Sequence, residues 1–301
     1  VAGVNVTRLF APPTADEVAA VRSEWSNRAV VAQHFAVIAS QQSRLADSPA
    51  ILQIVSYRID GFTLYGAILF PANATAGSLP VIVYTHGGDR GVSATELEFV
   101  STLLDSTADR FVFVAPAFCA EPLRVGAEVY LSEGTPSPWD RDVDDSIGLL
   151  DLAIENTPAA DKNRIGALGF SRGATVAMLM TIRDPRVQRV VAFFGPTDFM
   201  GTFARAVFEE ALQGRPRDLP GMAHLTENFI TPLRDGRLTI ETVRHEMIRR
   251  SPVYFATELP ELQLHHGTAD QVVPVSEAET LIAEMERLGR TAPSFESYLY
   301  V

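Results

Sequence analysis

Short apolar runs separated by helical periodicity constrain this 301-residue chain more than any other feature. Pro80-Val81-Ile82-Val83-Tyr84-Thr85, Phe111-Val112-Phe113-Val114-Ala115, Ile165-Gly166-Ala167-Leu168-Gly169-Phe170 and Arg189-Val190-Val191-Ala192-Phe193-Phe194 are each the length of one strand. Unbroken apolar runs suit strands covered on both faces, as in the middle of a parallel sheet. Between them lie helical patterns: Leu97, Val100 and Leu104 after Ser93 and Glu96; then Val143, Ile147, Leu150 and Ile154; then the almost wholly apolar stretch Ala174 to Ile182. The alternation predicts an α/β class, with a mostly parallel sheet of about eight strands flanked by helices.

The flanks follow the same reading. Ile51–Tyr57 and Phe62–Phe70 predict two strands about a turn at Asp60-Gly61. Leu262–His266 and Phe295–Val301 predict two more strands, with a helix between them opened by Ser276 and Glu279 and ended by Gly289. Residues 1–50 read as an N-terminal helical extension, in which Thr14 and Glu17 form a capping box ahead of Val18, Val21 and Trp25. Residues 51–301 read as one domain. Residues 199–252 interrupt the strand rhythm with helical patterns around Phe203–Leu212 and Leu238–Ile248, which predicts a small inserted helical lid. Phe199, Phe203, Phe208 and Phe229 are candidates for its apolar walls.

Composition narrows the partners. Hydrophobic residues make up 47%, enough for one sizeable core, and the net charge is −12 with no basic run. Nucleic acid needs a positive footprint, so it is excluded as a partner. No apolar run reaches the roughly 18 residues a membrane span needs. One cysteine, Cys119, excludes an intrachain disulfide and reads as a small core residue. Val1 in the first position is compatible with removal of an export signal. No cofactor or metal is expected, and oligomeric state has no sequence signal.

The chemistry lies in three segments. Gly169-Phe170-Ser171-Arg172-Gly173 joins a strand to an apolar helix. A sharp strand-to-helix turn lifts a serine clear of the backbone, and small flanking residues let the turn close. Ser171 is therefore the expected nucleophile. Thr85-His86-Gly87-Gly88-Asp89 leaves the strand at 80–85. Acyl transfer develops charge on a carbonyl oxygen, which backbone N–H groups must already face. Gly87, Gly88 and the N–H of Arg172 are the expected oxyanion donors, with His86 fixing the loop. His266-Gly267-Thr268-Ala269-Asp270 leaves a late strand, so Asp270 is the expected acid that orients a histidine.

These residues resemble a known family. Asp161-Lys162-Asn163-Arg164 running into the Ser171 motif, Arg250-Ser251-Pro252 and His266-Gly267-Thr268-Ala269-Asp270 are similar to the catalytic domain of prolyl-oligopeptidase-like serine hydrolases, in the α/β-hydrolase superfamily. The resemblance covers about residues 51–301. It implies the α/β-hydrolase fold, Ser171 as nucleophile, Asp270 as triad acid, and Gly87, Gly88 and Arg172 in the oxyanion region. The family's peptidases carry a large β-propeller ahead of this domain, and about fifty residues do not make one. The family's histidine lies beyond the last strand, so it is expected past Val301.

The function expected is a serine hydrolase acting on carboxylic esters through an acyl-enzyme on Ser171, with a small-molecule ester or short peptide as substrate. The alternatives are a propeller-less aminopeptidase or amidase, and a non-catalytic binding protein with the same fold. Asp140, Asp142, Asp144 and Asp145 read as partners of a helix dipole, with a metal site as the sharper alternative. Asp198 is an alternative acid with a structural role as the plainer reading. Arg249 and Arg250 either steer an anionic substrate or are solvated.

Overall fold

The computed structural model describes residues 1–301, and its strands and helices alternate as the apolar runs require. The strands are β1 (Ala32–Leu45), β2 (Ser48–Ile59), β3 (Phe62–Pro71), β4 (Leu79–Thr85), β5 (Val92–Ser93), β6 (Val112–Ala117), β7 (Pro122–Val125), β8 (Glu128–Leu131), β9 (Ala160–Phe170), β10 (Val187–Phe193), β11 (Glu261–Gly267) and β12 (Phe295–Tyr300). The helices are α1 (Val6–Leu9), α2 (Ala15–Asn27), α3 (Ala94–Thr102), α4 (Arg141–Asn156), α5 (Arg172–Arg183), α6 (Thr202–Leu212), α7 (Met222–Leu225), α8 (Thr231–Arg234), α9 (Ile240–Arg249) and α10 (Ser276–Arg287).

Nine strands form one sheet in the order β1-β2-β3-β6-β4-β9-β10-β11-β12. The pairings from β6 through β12 are all parallel, and β1, β2 and β3 join as antiparallel neighbours. The β2–β3 turn uses Asp60 at φ 53° and Gly61 at φ 84°, the two positive angles a tight hairpin of this twist demands. Two apolar cores lie on the two faces of the sheet. The larger joins α4, α5, α10 and residues 199–256; the smaller joins α3 with Val92 and Leu123 of the three-stranded sheet β5-β7-β8.

The expected N-terminal helical extension is helical only to Asn27. Ala32–Leu45 is instead the edge strand of the main sheet, paired with β2. Its register shifts between Gln33 and Ala36 and again between Val37 and Ala39, with His34 at φ 58°. Each bulge inserts an unpaired residue and breaks the two-residue alternation, so the strand has no periodic signature in sequence. The capping box at Thr14 and Glu17 is present. Ser93 caps α3, but α10 starts at Ser276 without a side-chain cap.

Residues 199–252 carry α6 and α9 near the two expected helical patterns, plus a continuous helical run through α7, a π-helical turn at Thr226–Ile230 and α8. One end of this segment is fastened to the N-terminus. Arg244 of α9 donates to both oxygens of Glu17 and, through Nη1, to the carbonyls of Arg8, Leu9 and Ala11. Arg249 pairs with Glu24 of α2.

Candidate active site

Ser171 stands between β9 and α5 at φ 51° and ψ −120°. A non-glycine residue there is strained, and such strain persists where surrounding packing over-determines it. The packing is visible at the two glycines. A Cβ on Gly169 would lie 2.2 Å from the Gly173 carbonyl oxygen, and one on Gly173 would lie 1.9 Å from the Thr85 carbonyl oxygen. The turn closes only because both positions lack a side chain. Thr85 completes it by donating its hydroxyl to the Gly173 carbonyl at 2.7 Å.

The Gly87 loop lies against this elbow, since a Cβ on Gly87 would come within 3.4 Å of the Ser171 Cβ. The N–H groups of Gly87, Gly88 and Arg172 make no hydrogen bond within the chain. For Arg172 this follows from its place in the first turn of α5, where amides have no intrahelical partner.

The Arg172 side chain holds loop and elbow together, a role the sequence motif does not announce. It is 1% exposed. Nε and Nη2 donate to the two Asp142 oxygens at 2.8 and 2.7 Å, and Nη1 donates to Glu121 at 2.6 Å and to the Gly88 carbonyl at 3.0 Å. Glu121 also accepts the Gly91 N–H and stands 3.6 Å from His86 Nε2. Burial pushes the Glu121 carboxyl above its ordinary value, against the pull of Arg172. Glu121 was not singled out in the sequence, although a charge within Phe118-Cys119-Ala120-Glu121-Pro122-Leu123 is the kind of signal a buried pair leaves.

The acidic cluster at the start of α4 belongs to the same network. Asp142 serves Arg172, Asp144 pairs with Arg28 and Arg183, and Asp140 pairs with Arg28 and Arg249. No cluster suited to a metal ion exists. Arginines, more than the helix dipole, answer these three carboxylates, whereas Asp145 is buried and accepts the Cys119 N–H at 2.8 Å. Arg249 and Arg250 are neither solvated nor turned toward a substrate. Arg250 is fully buried and donates to the Pro138 carbonyl, Ser137 and Glu246. Cys119 is a buried thiol that burial pushes up to about 12.

Asp270 caps its own turn: Oδ1 accepts the N–H groups of Val272 and Val273 at 2.8 and 3.0 Å, and Oδ2 accepts no hydrogen bond. Val272 and Val273 line the same cleft as Ser171. None of the six histidines hydrogen-bonds to Ser171. His86 is buried against Phe118 and its ring is lowered to about 4, mainly by burial. His224 contacts Asn228, His245 contacts Glu24, and His265 stacks between Phe193 and Tyr298. His266 Nε2 meets the Val273 carbonyl at 2.8 Å and lies 3.8 Å from Asp270. His34 sits on the edge strand β1, far along the sheet order from β9.

The cleft beside Ser171 encloses about 640 Å³ with its open mouth included, and 11 of its 16 lining residues are hydrophobic. Phe199, Phe203 and Phe208 contribute to the wall, whereas Phe229 packs on His224 and Arg250.

A family model described as the prolyl oligopeptidase family matches residues 128–298. The chain belongs to the prolyl oligopeptidase family. As a member it is a serine hydrolase of the esterase or peptidase kind. No curated protein matches its sequence. Among solved structures it resembles acetyl xylan esterase 1 from Thermoanaerobacterium sp., at 17% identity and a TM-score of 0.62 over 99% of this chain and 92% of that one. It also resembles an acetyl xylan esterase from Paenibacillus sp. R4, at 16% identity and a TM-score of 0.64 over 99% and 93%. A puromycin-hydrolyzing peptidase of Mycobacterium tuberculosis aligns at 14% identity and a TM-score of 0.54, over 83% of this chain but 42% of that one. At these identities the likeness establishes the α/β-hydrolase fold.

Proposed function

We propose that this family member hydrolyses short-chain carboxylic esters through an acyl-enzyme on Ser171. The observation that carries the reading is the apolar cleft into which Ser171 opens. A peptide brings an N–H and a C=O per residue, and burying either without a partner costs on the order of 1–3 kcal/mol. The wall offers few such partners beyond Asp198 and Trp139, because the Arg172 guanidinium is engaged by Asp142, Glu121 and Gly88. An ester needs an acceptor-binding site at its carbonyl and little else. The two structural neighbours that this chain spans nearly end to end are named as esterases, which agrees with that reading.

In this scheme the Ser171 hydroxyl attacks the carbonyl and gives its proton to a histidine. The N–H of Arg172, with those of Gly87 and Gly88, receives the oxyanion. The alcohol leaves with the proton, and water repeats the sequence to release the acid. Asp270 orients the histidine through its free Oδ2. We assign that histidine to residues past Val301. Support comes from the parallel register Gly267 to Tyr300 and from the Thr268 N–H donating to the Tyr300 carbonyl at 2.7 Å, which bring chain leaving β12 out beside the Asp270 turn.

The test compares the 301-residue chain with one extended by its native downstream residues, each with and without Ser171→Ala. Turnover of p-nitrophenyl acetate and butyrate is set against alanyl p-nitroanilide, with fluorophosphonate labelling as the readout of an activated serine. Expected are ester turnover and labelling in the extended chain, both lost with Ser171→Ala, and rates lower by several orders of magnitude in the shorter chain. Faster anilide than ester turnover favours the amidase alternative, and labelling that survives Ser171→Ala removes the assignment.

A further inference from the structure

The cleft has a second polar feature that the Ser171 chemistry does not use. Asp198 follows β10 and is the one carboxylate on the cleft wall. The Tyr254 hydroxyl and the Met200 N–H both donate to its Oδ1, at 2.8 Å each, while Oδ2 has no side-chain donor and lies against the Gly201 backbone. No cation pairs with it, although the nearby carboxylates Asp142 and Glu121 share a buried arginine. Burial raises the Asp198 carboxyl above its ordinary value, against the bonds from Tyr254 and from the Met200 and Gly201 backbones.

Asp198 is also held stiffly. Glu277 is 3% exposed and lies directly behind it. Its Oε2 accepts the N–H groups of Thr197 and Asp198 at 2.8 and 2.9 Å, and its backbone carbonyl accepts the Thr197 hydroxyl. A fixed carboxylate oxygen on an apolar wall is costly unless something donates to it.

The wall of the same cleft also holds an unanswered donor. Trp139 lines the same cleft, is 5% exposed, and packs against Phe199 with ring centroids 4.8 Å apart. Its indole N–H is buried with no acceptor, and its backbone is left-handed at φ 64°. Apolar pockets gain selectivity from a small number of such fixed polar groups.

We propose that Asp198 and Trp139 form a recognition subsite for a substrate hydroxyl, so that the ester this cleft favours carries a neutral hydroxyl group. The inference rests on the ester reading above and names its substrate class. A hydroxyl both donates and accepts, so it answers a carboxylate and an indole N–H. An alkyl group answers neither. An ammonium group has only donors and leaves the indole without a partner.

The test begins with binding, which needs no turnover. The Ser171→Ala chain is titrated by ligand-observed NMR with acetates whose alcohol carries a hydroxyl two, three or four carbons from the ester oxygen. Each is compared with the plain alkyl acetate and the trimethylammonio acetate of the same length, and ethyl 3-hydroxybutyrate is compared with ethyl butyrate. For at least one hydroxylated ester, binding about tenfold tighter than its alkyl counterpart is expected. Adding Trp139→Phe should lower that ratio, and adding Asp198→Leu with Tyr254→Phe, which removes both partners of the internal bond, should bring it near unity. Equal binding of hydroxylated and alkyl esters throughout, or tightest binding of the trimethylammonio esters, overturns the proposal. Turnover by the chain extended past Val301 is measured separately. Selective binding without any turnover sinks the ester-hydrolase reading and leaves the subsite standing; turnover without hydroxyl selectivity does the reverse.

Discussion

Replacing Arg172 with methionine probes the network that holds nucleophile and oxyanion loop in one piece. Methionine fills similar volume but removes all four hydrogen bonds, the two to Asp142, the one to Glu121 and the one to the Gly88 carbonyl. Asp142 and Glu121 are then left buried, at 1% and 7% exposure, without a cation. Stranding a buried charge in this way costs about 3–5 kcal/mol. Against a total stability of about 5–15 kcal/mol the variant remains folded near room temperature with a small margin. Urea unfolding followed by Trp25 and Trp139 fluorescence should show the midpoint lowered by roughly 1–2 M. The loss also depends on pH. In the variant the Glu121 carboxyl sits still further above its unfolded value than burial already places it. A group raised in the folded state stabilises below its unfolded pKa, and that contribution disappears as pH rises through the folded one. The deficit relative to the unsubstituted chain should therefore be small near pH 5 and grow toward pH 8. A loss below about 1 kcal/mol that stays constant across this range refutes the reasoning, since it would mean that water or backbone shifts already satisfy these carboxylates.

Two further outcomes follow from local geometry. Gly173→Ala places a methyl group 1.9 Å from the Thr85 carbonyl oxygen and should abolish folded yield or fluorophosphonate labelling; Gly166→Ala on β9 meets nothing nearer than the Arg189 carbonyl at 3.4 Å and should change stability by less than about 1 kcal/mol, so equal effects in thermal melts contradict the close approach at Gly173. Glu277 is raised by burial, and secondarily by the Asp198 charge, from 4.5 to about 7, so its contribution is present below pH 4.5 and is lost as pH rises to about 7. Because both backbone bonds end on one oxygen, a glutamine amide oxygen can accept them, and Glu277→Gln should flatten that decline by up to roughly 3 kcal/mol; an unchanged pH–stability curve speaks against it.

The central strands were legible because burial on both faces writes itself as unbroken apolar runs, at Val81–Val83, Val112–Ala115 and Leu168–Phe170 among others. The elbow was legible because two glycines four residues apart bracket a serine between a strand and an apolar helix. Strand β1 was not, because its bulges scramble the alternation that would reveal it. The arginine network was hidden for another reason. Arg172 finds its partners 30 and 51 residues away, and Arg244 finds Glu17 at a separation of 227. No local pattern encodes which carboxylate a buried guanidinium will meet; only the fold brings the two together. Arg250, expected to steer an anion or to be solvated, is buried for the same reason, and no local pattern marks the backbone partners of Glu277 at Thr197 and Asp198.

The anchoring of Arg244 divides residues 199–252 into a tied part and an untied part. Five bonds to Glu17 and to three N-terminal carbonyls leave α9 no rigid-body freedom relative to α1 and α2, and added salt has little purchase on a guanidinium that is 6% exposed. No such bonds tie the stretch between Gly201 and Leu238 to the N-terminus, and there Gly214, Gly221 and Gly236 occupy left-handed backbone. Among the first 28 residues, Phe10 backs the cleft residue Phe208 edge-on. They nonetheless brace the helix next to that segment: a part of the chain that contributes no residue to the cleft lining holds α9 in place.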